Sequence, residues 1–389
     1  MDDICIISAI RTPIGAFRGS LSSFQSVELG AIAIKESIRQ SSLSPKDITN
    51  VFMGNVISAG IGQCPARQAA IKAGIPFDAS CCTVNKVCAS GMKALQMAMD
   101  EIYRKSKKSK RDVICVAGGF ESMSNTVKTS KGVNLMVKDG LICPFSGVHM
   151  GIIACNTADK EEISRKEQDD YADLSYKRSI GAHELHKKYE IVPISIPDTD
   201  TVVDYDEEPL RYDPVKMRQL KPVFRREVGT ITAANASTLA DGACSFVIAS
   251  RSVCIKRGLS PIATLRSFTE VGVHPSRYIQ APIPAVKELL EEEDLIQDDI
   301  DLWEINEAFA IAPLIFCKHT GIDSKIVNIH GGAVSLGHPL GCSGARIVLS
   351  LISSLRAQAE EGKKRSGMGV ASACCGGGEG MAVLVQLEK

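Results

Sequence analysis

Gly118-Gly119-Phe120-Glu121-Ser122-Met123 and, 258 positions further on, Gly376-Gly377-Gly378-Glu379-Gly380-Met381 are two versions of one pattern in this 389-residue chain. Each follows a short apolar run, 113–117 or 369–373, of the length expected for a buried strand. Two further pairs keep the same order. Ser90-Gly91-Met92-Lys93 answers Ser343-Gly344-Ala345-Arg346 at an offset of 253, and Asn55 answers Asn306 at 251, each Asn following an apolar run. One such match is weak evidence, but three in order at nearly equal offsets predict two related halves.

Around these stretches the chain alternates strand-like runs (4–9, 51–56, 302–305, 382–386) with amphipathic helical runs (31–40, 93–103, 283–291, 345–357). That is the rhythm of an α/β protein. The reading puts the first half at 1–120, completed by 243–270, and the second at 271–389. Between them, 121–242 reads as an inserted loop domain with charged helical spacing, a Pro-punctuated stretch and the small-residue run 229–242. Duplicated halves bring equivalent loops to a shared interface, where sites form.

Composition removes several classes of function. Lys+Arg and Asp+Glu number 45 each, which lacks the basic excess a nucleic-acid binder needs to displace counterions. The chain has no apolar stretch of membrane-spanning length, so neither nucleic acid nor membrane is expected as a partner. Its fourteen cysteines contain no C-x-x-C pair, against zinc-ribbon and thioredoxin readings. The start MDDICIISAIRTPIG is unlike a signal peptide. A cytoplasmic location is expected, with mitochondria as the alternative if a presequence has been removed.

Four stretches carry chemistry-bearing residues. In Asn85-Lys86-Val87-Cys88-Ala89-Ser90, Cys88 precedes a helical run, where free N–H groups and the helix dipole favour a thiolate. The alternative is a packing cysteine. Gly337-His338-Pro339 is equivalent to the Cys88 loop in the other half, so pseudo-symmetry can bring an imidazole to the thiol. In Cys374-Cys375-Gly376-Gly377-Gly378 the glycines leave N–H groups for an oxyanion. Asn306-Glu307-Ala308-Phe309 places a polar pair after a strand, readable also as a helix cap. By contrast, His183 and His186 lack zinc-binding spacing and read as decorating an exposed helix, and 104–111 reads as a solvated basic loop.

Taken together, NKVCASGMKA, NEAFA, GGAVSLGHPLG and CCGGGEG resemble the thiolases, in the family's order and over essentially the whole chain. Within the family the resemblance is to the acetoacetyl-CoA thiolase branch. It implies the thiolase fold, two βαβαβαββ halves in five layers with an inserted loop domain. It also implies a homotetramer built as a dimer of dimers, and reversible condensation of acetyl-CoA to acetoacetyl-CoA and CoA without a prosthetic group. By resemblance, Cys88 is the acylated nucleophile, His338 activates it, Cys374 takes the α-proton, and a water bound by Asn306, with His338 Nε2, stabilises the enolate oxygen. The N–H groups of Cys88 and Gly376 form the other oxyanion hole. Coenzyme A contacts are implied for His149, Tyr176, Arg211, Lys216, Ala233 and Ser237, with Met150, Ala308 and Phe309 bordering a narrow acyl pocket. Tyr176, Ala233, Ala234, Ala236 and Val334 match the family's potassium site. The rivals are a longer-chain 3-ketoacyl-CoA thiolase and a catalytically silent, thiolase-like lipid-binding or scaffold protein. One departure is surplus length between His338 and Cys374, expected as an exposed loop at 357–366. The other is Cys375 beside the second catalytic cysteine.

Overall fold

The computed structural model describes residues 2–106, 111–128, 132–362 and 367–388. The first half runs β1 (Ile4–Arg11), α1 (Ser26–Gln40), β2 (Asn50–Gly54), α2 (Pro65–Lys72), β3 (Ser80–Val84), α3 (Ser90–Ser106) and β4 (Ile114–Ser122). After the excursion that carries α4 (Met150–Lys160) and α5 (Arg165–Gly181), it closes with β5 (Ala240–Ser250). The second half repeats the plan as β6 (Ala263–Gly272), α6 (Pro282–Glu292), β7 (Leu302–Ile305), α7 (Ile311–Thr320), α8 (Leu340–Glu360), β8 (Met368–Cys375) and β9 (Glu379–Leu387). Where the first half has β3, the second keeps a single parallel bridge, Trp303 to Val327.

The strands pair in the order β7-β8-β9-β6-β1-β5-β4-β2-β3, with the two-residue strand Gly15–Ala16 added on β5. The halves meet where β1 and β6 run antiparallel, Ile4 opposite Leu265 and Ile6 opposite Ala263. Residues 243–270 therefore divide: β5 pairs with β1 and β4, while β6 pairs with β1 on one side and β9 on the other.

Helices α3 and α8 form the middle of five layers. Met92, Leu95 and Ile102 of α3 and Ala345, Val348 and Ile352 of α8 share one core with strand residues from both halves. Helices α1 and α2 cover one outer face through Leu29, Ile34, Ala66 and Ala70. Helices α6 and α7 cover the other through Val286, Leu289 and Phe316. Each large apolar side chain so buried contributes about 1.5–3 kcal/mol. Helix α8 is buried from Leu340 through Leu355, polar Arg346 and Ser350 included, because strands of both halves and α3 enclose it. The two middle helices approach closely because of glycine: a Cβ on Gly91 would lie 2.7 Å from the Ala345 nitrogen.

Three expectations change. The surplus after His338 is not a loop from 357, because α8 continues to Glu360; 363–366 lie outside the described residues. Helix α3 carries Arg104 and Lys105, and 107–110 lie outside the described residues. His186 does not decorate a surface: it is buried, with Nδ1 3.6 Å from an Asp206 carboxylate oxygen. The same Asp206 holds the buried Arg11 guanidinium, which Glu190 also pairs.

Candidate active site

Cys88 sits two residues before α3, on a turn that Ser90 ties together. The Ser90 hydroxyl accepts from Lys86 N–H at 2.8 Å and donates to the Val87 carbonyl at 2.7 Å, while Val87 takes a left-handed φ of 48°. Cys88 as a residue is 8% exposed. Helix-start placement favours a thiolate, but burial outweighs it and pushes the Cys88 thiol up to about 11, opposed by the backbone N–H groups of Gly376 and of Cys88 itself. Cys88 therefore rests as a thiol and needs a base.

His338 supplies the lone pair for one. Its backbone N–H donates to the Thr238 carbonyl at 2.9 Å, and Nδ1 lies 2.6 Å from Ser343 Oγ. That hydroxyl donates to the Pro339 carbonyl at 2.9 Å, so its oxygen is left to accept the Nδ1 proton. The tautomer this selects has a bare Nε2, which is buried and without a partner. Burial, helped by the positive charge of Arg346, holds His338 down at about 3, so the imidazole is neutral.

Cys374 and Cys375 point to opposite sides of β8. Cys374 packs with Met150, Phe309 and Tyr278, whereas Cys375 belongs to the central core around α3 and α8. Cys374 is 1% exposed, and its thiol is raised by burial and then by the charge of a Cys88 thiolate. Asn306 N–H donates to Ser372 O of the same strand at 2.9 Å, while both polar atoms of its side chain are buried and unpartnered. Orphaned buried amide atoms are rare enough to mark a site that waits for a ligand or water.

A cavity of about 590 Å³ brings Cys88, His338 and Gly376 together; His149, Met150, Arg211, Ala233, Ala236, Ser237, Ala308 and Phe309 also line it. Its wall is mainly apolar, as ligand pockets are. Cys374 and Asn306 lie behind the lining. Tyr176 and Lys216 do not reach it either. Tyr176 is buried and stacked on Tyr212 at 5.2 Å, and Lys216 is exposed on the helix Pro214–Gln219. Arg211 is half exposed and held by Glu207 at 2.9 Å. Ser237 Oγ donates to Ala308 O at 2.8 Å, and His149 Nδ1 accepts from Gly151 N–H at 3.0 Å. Burial lowers the His149 pKa, favouring the neutral ring.

Of the set matched to potassium, Tyr176, Ala234 and Val334 pack together. The N–H groups that would close helical turns on the Val334 and Ala233 carbonyls, those of His338 and Ser237, go instead to Thr238 and Ala308. Both carbonyls keep their lone pairs for another partner.

Sequence reading missed several residues. Phe224 stacks against His149 with centroids 4.8 Å apart and shapes the cavity mouth. It lies just after the Pro-punctuated stretch and before the small-residue run 229–242, where no periodicity reveals it. Ser343 was quoted only as half of a repeat, although its i+5 spacing from His338 on a helix start was a usable signal. Glu307 is no cap: it is fully buried and accepts from Tyr171 Oη, Ser175 Oγ, Asn328 Nδ2 and Val334 N–H.

Known proteins resemble the chain over nearly its whole length. The family described as "Thiolase, N-terminal domain" matches residues 4–252, and "Thiolase, C-terminal domain" matches 259–387. The mitochondrial acetyl-CoA acetyltransferase of Bos taurus is 44% identical over 99% of this chain and 92% of its own. Acetyl-CoA acetyltransferase 2 of Arabidopsis thaliana is 42% identical over 99% and 97%. Among solved structures, the Acat5 thiolase from Ascaris suum in complex with coenzyme A superposes with a TM-score of 0.90 at 42% identity, covering 99% of this chain and 100% of that one.

Proposed function

Because the chain belongs to the thiolase family, and is an acyltransferase like the acetyl-CoA acetyltransferases it matches, we propose that its chemistry runs through a Cys88 acetyl-thioester. The reaction is the reversible Claisen condensation of two acetyl-CoA into acetoacetyl-CoA and CoA. The observation that carries this is one cavity lined by Cys88, His338 and Gly376, with a buried, unpartnered His338 Nε2.

His338 Nε2 takes the Cys88 proton, and the sulfur attacks the thioester carbonyl of the first acetyl-CoA. The developing oxyanion accepts from the Cys88 and Gly376 N–H groups. When the carbon–sulfur bond to CoA breaks, the departing thiolate takes its proton from Cys374. This leaves acetyl-Cys88, a Cys374 thiolate and a cationic His338. Burial makes that cation costly, so it persists only while an anion faces it. The Cys374 thiolate then removes the α-proton of the second acetyl-CoA. Its raised pKa makes it a strong base for this step. The enolate oxygen accepts from His338 Nε2–H and from a water held by the Asn306 amide. The carbanion attacks the acetyl carbonyl, Cys88 leaves, and the His338 proton returns to its sulfur. Cys88, His338 and Cys374 are then back in their starting protonation states, the substrate's α-proton having replaced on Cys374 the one that left on CoA.

His149, Ser237 and Arg211 on the cavity wall are the coenzyme A contacts, with Tyr176 and Lys216 acting from behind and outside it. Met150 and Phe309 restrict the acyl group to short chains. Potassium would be held by the carbonyls of Ala233, Ala234, Ala236 and Val334 and the Tyr176 hydroxyl, neutral oxygens suited to a monovalent cation. When bound it would supply positive charge beside the coenzyme-facing loop. A homotetramer is the expected assembly, and β3, an edge strand with half-exposed residues, offers pairing for a second copy. No described helix is long and apolar enough to cross a membrane. Relatives named mitochondrial favour the mitochondrial alternative over the cytoplasmic expectation. The deciding experiment is Cys88→Ser, which should abolish both thiolysis and condensation; near-normal turnover would refute the mechanism.

A further inference from the structure

His338 is not placed by its own contacts alone. The segment 334–341 that carries it is gripped at both ends by a buried carboxylate, one from each half of the molecule. At the near end, Glu307 accepts from Val334 N–H at 3.0 Å while also holding Tyr171, Ser175 and Asn328. The backbone packs so closely there that a Cβ on Gly332 would fall 2.4 Å from the Glu307 carboxyl carbon. At the far end, Glu121 accepts from Gly341 N–H at 3.0 Å, the second residue of α8.

Glu121 does more than hold the helix start. The same carboxylate accepts from Val56 N–H at 3.0 Å, Ile57 N–H at 3.2 Å and Asn55 Nδ2 at 2.9 Å. Val56, Ile57 and Leu340 pack in one cluster with Cys88. One side chain, 1% exposed, therefore fixes the walls around the nucleophile from the first half and the helix behind the base from the second. All four of its partners are N–H donors, two on each oxygen. An acceptor-only group is required, since any donor placed there would face other donors.

We propose that Glu121 and Glu307 are positioning residues for His338, a pair of buried carboxylate clamps that set the imidazole against Cys88. The proposal rests on the reading of Cys88 as nucleophile and His338 as its base. Its energetic logic is that a general base works only within hydrogen-bond reach, so an ångström of drift in the loop is expensive in rate.

The test is a two-by-two comparison on the full chain: wild type, Glu121→Gln, His338→Ala and the double variant. The readout is alkylation of Cys88 by iodoacetamide, followed at the Cys88 peptide because Cys64, Cys81, Cys82 and Cys317 are also partly exposed. Glutamine keeps the shape of Glu121 but turns one oxygen into a donor. In the otherwise native chain E121Q should slow Cys88 alkylation and kcat by about tenfold or more. KM for acetoacetyl-CoA should stay within about twofold, as expected when geometry at the reacting atoms is lost and binding is not. In the His338→Ala background E121Q should change alkylation by less than about twofold, because its route of action is gone. Equal slowing in both backgrounds, or none in the native one, would overturn the clamp. If H338A itself alkylates and turns over normally, the base assignment falls and the clamp with it. A loss in H338A without a loss in E121Q overturns the clamp alone. Should E121Q fail to fold, E121D enters the same comparison under the same criteria, since it keeps the charge but withdraws it by one methylene.

Discussion

At the residue scale, the resting state is a neutral pair. Cys88 is pushed up to about 11 and His338 down to about 3, so no thiolate–imidazolium pair forms before substrate arrives. The sign is testable. Iodoacetamide alkylation of Cys88 should climb with pH between about 6 and 10 without levelling, because the thiolate fraction keeps growing towards the thiol pKa. A rate already flat above neutrality would mean a preformed ion pair. Cys374→Ser separates the two sulfurs: acetyl transfer from acetyl-CoA to Cys88 should survive while condensation falls by about 10²-fold or more, as loss of a general base does. A variant that blocks acylation alone would reverse the roles. Sequence made Cys88 and His338 visible, because helix starts and glycine-flanked histidines are local features. It gave the wrong sign for the Cys88 thiol, because burial is decided by distant chain: Met123, Met136 and Leu340 close over it.

At the scale of elements, the site depends on how near α8 comes to the first half. A Cβ on Gly119 would lie 1.9 Å from the Gly341 carbonyl oxygen, and one on Gly54 would lie 2.7 Å from it. Gly119→Ala should therefore force the halves apart, costing about 1–3 kcal/mol or more as overpacking does. Gly181→Ala, at the end of α5 with nothing near its Cβ position, should be neutral or stabilising by up to about 1 kcal/mol. Urea unfolding midpoints compare the two; similar midpoints would show that the junction relaxes. Element types were readable from periodicity, and Leu302–Ile305 matched to the residue. Helix starts were not: the structure begins α8 at Leu340, five residues before the apolar spacing does. Small residues such as Gly341 and Gly344 are buried there for reasons that belong to the facing half.

At the scale of the whole molecule, duplication puts the equivalent loops of Cys88 and His338, from opposite halves, on one cavity, and three weak internal matches were enough to point to them. The inserted segment was less legible, because its residues answer to the halves they cover: His186 turned inward to meet Asp206 and Arg11. The twelve cysteines outside the mechanism divide into eight buried and four half-buried free thiols. Replacing K⁺ by Na⁺ should lower activity or coenzyme A affinity; unchanged values for both would remove the cation from the account. The central claim is the covalent intermediate. Incubating the protein with acetyl-labelled acetyl-CoA and mapping the label by peptide mass spectrometry should place one acetyl group on Cys88, discharged by free CoA. Label absent from Cys88, or carried by Cys374 in its place, would contradict the account.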